Sequence, residues 1–378
     1  MTVILTINAG SSSVRLAALA TPGLTPVAAC RYEIASAAEA AEEFARHLHE
    51  LGAPSPAVVV HRIVHGGSRL TSPCLIDAAV EREIEALTPL APLHQPAALA
   101  LIRAAREVPG LAVPQLAVFD TAFYRDMPAA AQSYALPGAL REQHQIRRYG
   151  FHGLAHQAML DAWQQQEGSA IASSARVVSL QLGAGCSVTA SRGGRPVETS
   201  MGFSPLEGLV MATRSGDVDP GAVLYLLNHA GMTPADLDKV LNQHSGLLGL
   251  SGISGNVSEL LASDSDAARH ALEVYCHRIT RYLGSCLAVL GGADAILFGG
   301  GVGENVPEIR ARVLATLGFA GVALDPLANS QCRGKSAMIS VADTPVKVWV
   351  FCVNEALMMA RSALTLLDGR DFQGGHHD

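Results

Sequence analysis

Residues 3–19 read VILTINAGSSSVRLAAL. Val3 to Ile7 is a short apolar run rich in β-branched residues. It halts at Asn8-Ala9-Gly10-Ser11-Ser12-Ser13 and resumes as Val14 to Leu19. This pattern predicts strand, polar Gly/Ser turn, strand. Outward from it the alternation continues. Ala57 to Val64 predicts a buried strand that ends in His65-Gly66-Gly67. A helix is expected from His94-Gln95-Pro96, with proline in its first turn, to about Val108. Gln115 to Phe119 predicts a strand that delivers Asp120 at its C-terminal end. Strands alternating with helices point to an α/β protein.

The second half repeats the theme. Val177 to Leu182 runs into Gly183-Ala184-Gly185-Cys186-Ser187 and is followed by Val188 to Ser191, a weak echo of the N-terminal hairpin. A long helix is predicted from Asp266 to Leu290, with Leu272, Tyr275, Ile279, Tyr282, Leu283 and Cys286 on one apolar face. Ala295 to Phe298 predicts a strand entering Gly299-Gly300-Gly301-Val302-Gly303-Glu304-Asn305, read as a third glycine-rich turn. Val346 to Val353 predicts a last strand and Asn354 to Leu367 a closing helix. Glycine-rich turns after strands let backbone N–H groups converge on an anion, so three of them suggest a nucleotide or polyphosphate site. None fits the P-loop or the dinucleotide fingerprint.

Composition bounds the rest. The 378 residues are 49% apolar and 16% charged, which excludes a disordered chain and, at about 100–200 residues per domain, suggests two domains. A net charge of −7 argues against nucleic acid or an anionic membrane surface as partner. The N-terminus has no basic start and too short an apolar run for a signal peptide, and Leu283 to Val302 is broken by Asp294 and glycines. With seven scattered cysteines and no ligand-like spacing, the expectation is a cytoplasmic protein with reduced thiols. The tail GGHHD reads as a frayed terminus rather than a metal site.

Several polar residues stand in apolar or glycine-rich surroundings: Arg62, Asp120, His152, Arg214 and Glu355. Singly, each suits a structural ion pair or strand-end hydrogen bond. Together they supply two guanidiniums, an imidazole and carboxylates for charge stabilisation and a metal, which is the inventory of phosphoryl transfer.

In order, the stretches INAGSSS (7–13), HRIVHGG (61–67), APLHQPA (91–97), VFDTAF (118–123), RRYGFHG (147–153), TSMGFSPLEGLVMATRSGD (199–217), SGLLGLSG (245–252), GGGVGEN (299–305) and NEALMMA (354–360) resemble the acetokinase family, the acetate and propionate kinases, over nearly the whole chain. The resemblance implies an α/β fold of two actin-like (ribonuclease H-like) ATPase domains with a central cleft. The first would span residues 1–120, completed by a C-terminal helix 356–378, and the second, nucleotide-binding domain residues 121–355. It implies phosphoryl transfer between ATP and acetate, Mg²⁺ (or Mn²⁺) as the metal, and a homodimer. Asn8 and Glu355 would hold the metal. Arg62, Arg214, His152, His94 and Asp120 would form the transfer centre, and Val64, Leu93, Phe151 and Pro205 the pocket for the acyl methyl group. Ser11, Ser13, Arg15, Gly183, Ala184, Gly185, Asn256, Gly301, Gly303 and Asn305 would contact the nucleotide. Asp120 would orient a neighbour or the metal, because a carboxylate acceptor is already ionised at pH 7. Both arginines are expected to be replaceable without loss of the fold.

The chain departs from the family on the donor side. The usual His-Leu-Gly-Asn-Gly loop is Gln181-Leu182-Gly183-Ala184-Gly185, the usual Asp and Arg of the adenosine segment are Asn256 and Ser258, and Gly299-Gly300 replaces Thr-Ala. These changes suggest neutral drift or an altered donor: loosely read ATP, another nucleotide, or pyrophosphate. A non-catalytic nucleotide-binding regulator on the same fold is the rival from another class. Retention of the transfer-centre residues argues against it.

Overall fold

The computed structural model describes residues 2–10, 13–168 and 174–371. β1 (Val3–Ala9) is buried at all seven positions, as its apolar composition demands. It runs two residues past the apolar stretch, so Asn8 lies on the strand itself. Its partner β2 (Ser13–Ala20) returns antiparallel, and β3 (Thr25–Glu33) extends the meander. On its other side β1 pairs parallel with β4 (Val58–Ile63), and β4 pairs parallel with β6 (Gln115–Phe119). Short β5 (Cys74–Leu75) closes that edge antiparallel.

The second sheet has the same order of strand types. Here β7 (Arg176–Leu182), β8 (Cys186–Arg192) and β9 (Arg195–Thr199) form the meander. β10 (Ala295–Gly299) and β12 (Lys347–Val350) add parallel to β7, and β11 (Ala337–Met338) closes the edge. The orders β3-β2-β1-β4-β6-β5 and β9-β8-β7-β10-β12-β11 are equivalent. The echo between the two Ala-Gly-X-Ser stretches therefore marks hairpins at matching places in two copies of one topology.

The chain divides into two units, Met1–Arg125 with Asn354–Asp378, and Asp126–Val353. In the first, helices Ala37–Leu51 and Gln95–Glu107 pack together, and Phe44, Leu101 and Ile102 are buried in a core with β1 residues. Helix Glu355–Asp371 lies against β1 and β4, which ties Glu355 to this unit. Residues 372–378, including the GGHHD tail, lie outside the described residues. In the second unit the helix Asp266–Leu290 buries Leu272, Tyr275, Ile279, Leu283 and Cys286. Tyr282 is less buried than that stripe implied, because its hydroxyl donates to Asp217 Oδ2 at 2.7 Å.

One sequence expectation is corrected. Gly299–Asn305 is not a turn: β10 ends at Gly299 and a short helix, Gly300–Asn305, begins at once. Gly300 makes the corner at φ +77°, where a Cβ would sit 2.6 Å from the Leu182 carbonyl. Glu304 secures it by accepting from the N–H groups of Gly300 (3.0 Å) and Val353 (3.1 Å). Among the described residues no helix is long and apolar enough to cross a membrane.

Candidate active site

In the first unit the site grows from the C-terminal ends of parallel strands, where ligands gather in open α/β sheets. β1 carries Asn8, β4 carries Arg62, and β6 hands the chain to Asp120 at the start of a 3₁₀ turn, Asp120–Tyr124. Asp120 is fully buried and Arg62 is 11% exposed at its side chain. Arg62 grips the carboxylate along one edge: Nη2 donates to Oδ2 at 2.6 Å, and Nε lies 3.1 and 3.2 Å from the two oxygens. Nη1 donates to Asn8 Oδ1 at 2.9 Å, and Asn8 Nδ2 donates to Glu355 Oε2 at 2.6 Å. Glu355 Oε2 is also 3.7 Å from Arg62 Nη1. Burial alone would lower the guanidinium's proton affinity, but Asp120 and then Glu355 hold it above its ordinary range. Arg62 is therefore a permanent cation. Three of its five N–H groups are engaged here, which leaves the outer fork of Nη1 and Nη2 for a planar oxyanion.

The structure thus joins four sequence-selected residues, Asn8, Arg62, Asp120 and Glu355, in one hydrogen-bonded line. Val64 (buried) and Leu93 (half-buried) belong to the same unit, as does His94, which begins the helix Gln95–Glu107. Ser13 opens β2, and its carbonyl accepts from Gly10 N–H at 2.8 Å. Arg15 is exposed and stands opposite Asn8 in the β1–β2 register. Ser11 lies outside the described residues.

The second unit holds the other group. His152 takes a left-handed backbone (φ 57°) just before the helix Gly153–Glu167, a conformation that costs energy for a non-glycine residue. Arg214 is 8% exposed, and burial pulls its guanidinium down to about 10. Its Nη1 donates to the Pro205 carbonyl at 3.2 Å. Both side chains converge above the β7–β8 turn. A Cβ on Gly185 would stand 3.2 Å from His152 Nε2 and 3.8 Å from Arg214 Nη1. The missing side chain lets the imidazole lie close over the turn, beside the desolvated Arg214 cation. Gly183 N–H donates to the Gly185 carbonyl (3.1 Å), and the Ala184 carbonyl accepts from Ala212 N–H (3.0 Å), so the turn is fixed. Phe151 is buried and Pro205 half-buried in this unit.

The donor-side departures are physically linked. Gln181 Nε2 lies 2.9 Å from where a Cβ on Gly300 would be, so the glutamine occupies room that a side chain at 300 would need. Gln181 Oε1 is buried without a hydrogen-bond partner among the described residues. Asn256 caps the helix Val257–Leu261, with Oδ1 accepting from Ser258 N–H at 2.9 Å. Gly301, Gly303 and Asn305 lie on the Gly300–Asn305 helix, where Asn305 Nδ2 donates back to the Gly301 carbonyl at 2.9 Å. Ser258 and Asn305 line a cavity of about 420 Å³ with Arg312 and Arg333.

Sequence reasoning missed His156, Ser179, Ser187 and Glu304. The two serines look like ordinary strand residues, and His156 occupies a buried helix face. Only proximity to His152 or Gly300 gives them meaning.

For a divalent metal, the oxygen donors are Glu355 and Asn8. Asn8 is committed at both ends, its Oδ1 to Arg62 and its Nδ2 to Glu355, which leaves the Glu355 carboxylate as the anionic group that could hold a metal. Among the described residues no group of three or more His, Cys, Asp or Glu forms a cage. One carboxylate suits Mg²⁺, which keeps most of its waters and binds largely through substrate phosphates.

Comparison with known proteins identifies the family. The profile of the Acetokinase family matches residues 27–361. The acetate kinase of Chloroherpeton thalassium is 45% identical over 308 residues, covering 80% of this chain and 74% of that one. The crystal structure of Porphyromonas gingivalis acetate kinase superposes with a TM-score of 0.86 at 32% identity, covering 97% of this chain and 100% of that one. A propionate kinase from Francisella tularensis gives 0.85 at 32% identity, covering 96% and 99%. The duplicated sheets are those of two actin-like ATPase domains, and the chain belongs to the acetokinase family.

Proposed function

We propose that the protein is an acetate kinase, transferring the γ-phosphoryl of ATP to the acetate carboxylate and giving acetyl phosphate and ADP, reversibly. The observation that carries this reading is the Asp120–Arg62–Asn8–Glu355 line. It fixes a buried guanidinium with its outer fork presented and a carboxylate beside it, which a purely binding protein has no need to maintain. Acetate attacks as a carboxylate, so no base is required. Asp120 then orients Arg62 and takes no proton. Arg62 neutralises oxygens of the acyl phosphate as it forms; Arg214 and His152, in the second unit, are the groups suited to a phosphoryl anion. Mg²⁺, when bound, screens the donor's phosphate charge. Val64 and Leu93, apolar residues of the unit that carries Arg62, favour a small acyl group. A methylene in such a pocket is worth only about 1–3 kcal/mol, so propionate is the nearest alternative acid.

A matrix of ATP, GTP and pyrophosphate against acetate, propionate and butyrate, with product trapped as hydroxamate, tests the reading. Acetate with ATP should give acyl phosphate. Folded protein that makes none with any donor would sink it.

The metal assignment has its own expected result. Glu355→Ala should raise the Mg²⁺ concentration needed for half-maximal rate more than it raises the acetate KM. An unchanged Mg²⁺ titration removes Glu355 from the metal site.

On the donor side, Asn256 and Ser258 offer no charge to the nucleoside. A lost hydrogen bond to a charged group weakens binding by about ten- to a hundredfold. ATP should therefore show a high KM and be weakly preferred over GTP, and Asn256→Asp with Ser258→Arg should tighten ATP. An enzyme that binds ATP tightly and strongly rejects GTP contradicts this. If pyrophosphate is the donor, the restored pair changes nothing.

A further inference from the structure

Val64 is the first residue after β4, and Asp120 and Thr121 follow directly on its parallel neighbour β6, with Ile63 and Phe119 opposite each other at the strand ends. Leu93 and His94 close the turn that leads into the helix Gln95–Glu107, where the N–H groups of His94 and Gln95 both donate to the Ala91 carbonyl at 3.0 Å. Three separate segments of the first unit thus carry Val64, Leu93 and Asp120. Two buried side chains that the mechanism above does not use tie these segments together.

Gln95 is fully buried. Its Nε2 donates to the His65 carbonyl at 3.0 Å and to the carbonyl of Ile84, in the helix Ala78–Ala86, at 3.4 Å. Both partners only accept, so this end of the amide is the NH2. Its Oε1 has no hydrogen-bond partner among the described residues, so the NH2 end alone fixes the amide. Thr121 is buried as well, and its Oγ1 accepts from Gly66 N–H at 3.0 Å. The turn that these two residues hold is closed within itself: Gly67 N–H donates to His65 Nδ1 at 2.9 Å, and Leu70 N–H to the Gly66 carbonyl at 3.0 Å. A Cβ on Gly66 would stand 2.1 Å from the Leu70 carbonyl and 3.1 Å from the Phe119 ring, so the turn lies tight against the end of β6.

We propose that Gln95 and Thr121 are positioning residues for acid selectivity, pinning the turn that starts at Val64 to the segments that carry Leu93 and Asp120 and so setting the room the acyl chain finds beside Val64. The proposal rests on the kinase reading above, with Val64 and Leu93 at the acyl group. An apolar wall excludes an extra methylene only if it does not yield. Apolar contact is non-directional and does not by itself hold two segments at one spacing. A hydrogen bond does, because it is lost within a short displacement. A methionine would fill much of the volume of Gln95. What the amide adds is the directional link from the Leu93 segment to the turn after Val64, and Thr121 adds the matching link from the Asp120 segment.

The test compares acids on one enzyme, so that the fraction of folded protein cancels. The readout is kcat/KM for propionate divided by kcat/KM for acetate, with saturating Mg²⁺ and ATP and the product trapped as hydroxamate. An apolar pocket discriminates one methylene by about 10–200-fold, and a yielding wall forfeits part of that. Gln95→Met and Thr121→Val should therefore each raise the ratio about three- to tenfold, with the ATP KM unchanged. Thr121→Ser keeps the hydroxyl and should keep the wild-type ratio. Phe44→Leu, a core change in the same unit away from these segments, should lower stability and leave the ratio alone. If Gln95→Met does not fold, Gln95→Asn takes its place: the shorter amide does not reach both carbonyls, and the same upward shift is expected. An unchanged ratio in the Gln95 or Thr121→Val variant, or an equal shift in Phe44→Leu, would overturn the proposal. Wild-type protein that forms no acyl phosphate counts against the kinase reading instead. Hydrogen exchange at residues 64–67 of the substrate-free protein then reads the clamp on its own: it should be faster in Gln95→Met and Thr121→Val than in Phe44→Leu, and equal rates would overturn the proposal.

Discussion

Arg62→Ala is expected to lose both turnover and stability. Removing one preorganised donor to transition-state charge costs about 10²–10³ in rate. The structure adds a second loss, because Asp120 is fully buried and Arg62 is its bidentate partner. Deleting one member of a buried ion pair costs about 3–5 kcal/mol, through the uncompensated charge it leaves behind. The sequence-based expectation of an unperturbed fold therefore does not hold for this arginine. The double variant Arg62→Met with Asp120→Asn removes the stranded charge, and should recover much of the stability while turnover stays low. Urea melts of the three proteins, alongside acyl phosphate formation, separate the two effects. Wild-type stability in the single variant would mean that the pair is more hydrated than the structure shows.

Arg214→Ala should lose a similar factor, about 10²–10³ in turnover. Arg214 is a cation under strain from burial, its guanidinium pulled down to about 10. Its Nη1 donates to the neutral Pro205 carbonyl and lies 3.9 Å from the Met211 sulfur. Arg214→Lys should not restore the rate, because an ammonium lacks the planar fork that spans two oxyanions. Near-native turnover in either variant would take Arg214 out of the transfer centre.

Much of the architecture was legible in order. The apolar runs at residues 3–7, 115–119, 177–182 and 295–298 lie in strands, and the run 57–64 does so from Val58 to Ile63, because buried parallel strands need continuous apolar sequence. The spacing of apolar residues placed the long helix at Asp266–Leu290. Arg62, Asp120 and Glu355 stood out because charge amid apolar residues requires a partner. What misled was local. GGGVGEN has the composition of a turn, yet it forms a helix, since Glu304 accepts from Gly300 and Val353 across the segment. Asn8 looked like a loop residue. It is a strand residue with both ends of its amide committed.

By itself, the sequence determined the α/β class, the positions of the main strands, the family and the residue types of the site. Each of these depends on composition and periodicity within a short window, or on an ordered set of motifs. Tertiary structure alone decided the pairings. Arg62 meets Asp120 from 58 residues away, and Asn8 meets Glu355 from 347. It also decided that Gln181 fills the space beside Gly300, and that Ser187 lies between two histidines. A hydrogen bond is directional and extends only about 3 Å, so a pairing exists only once two strands or a strand and a helix are in register, and no local pattern encodes that.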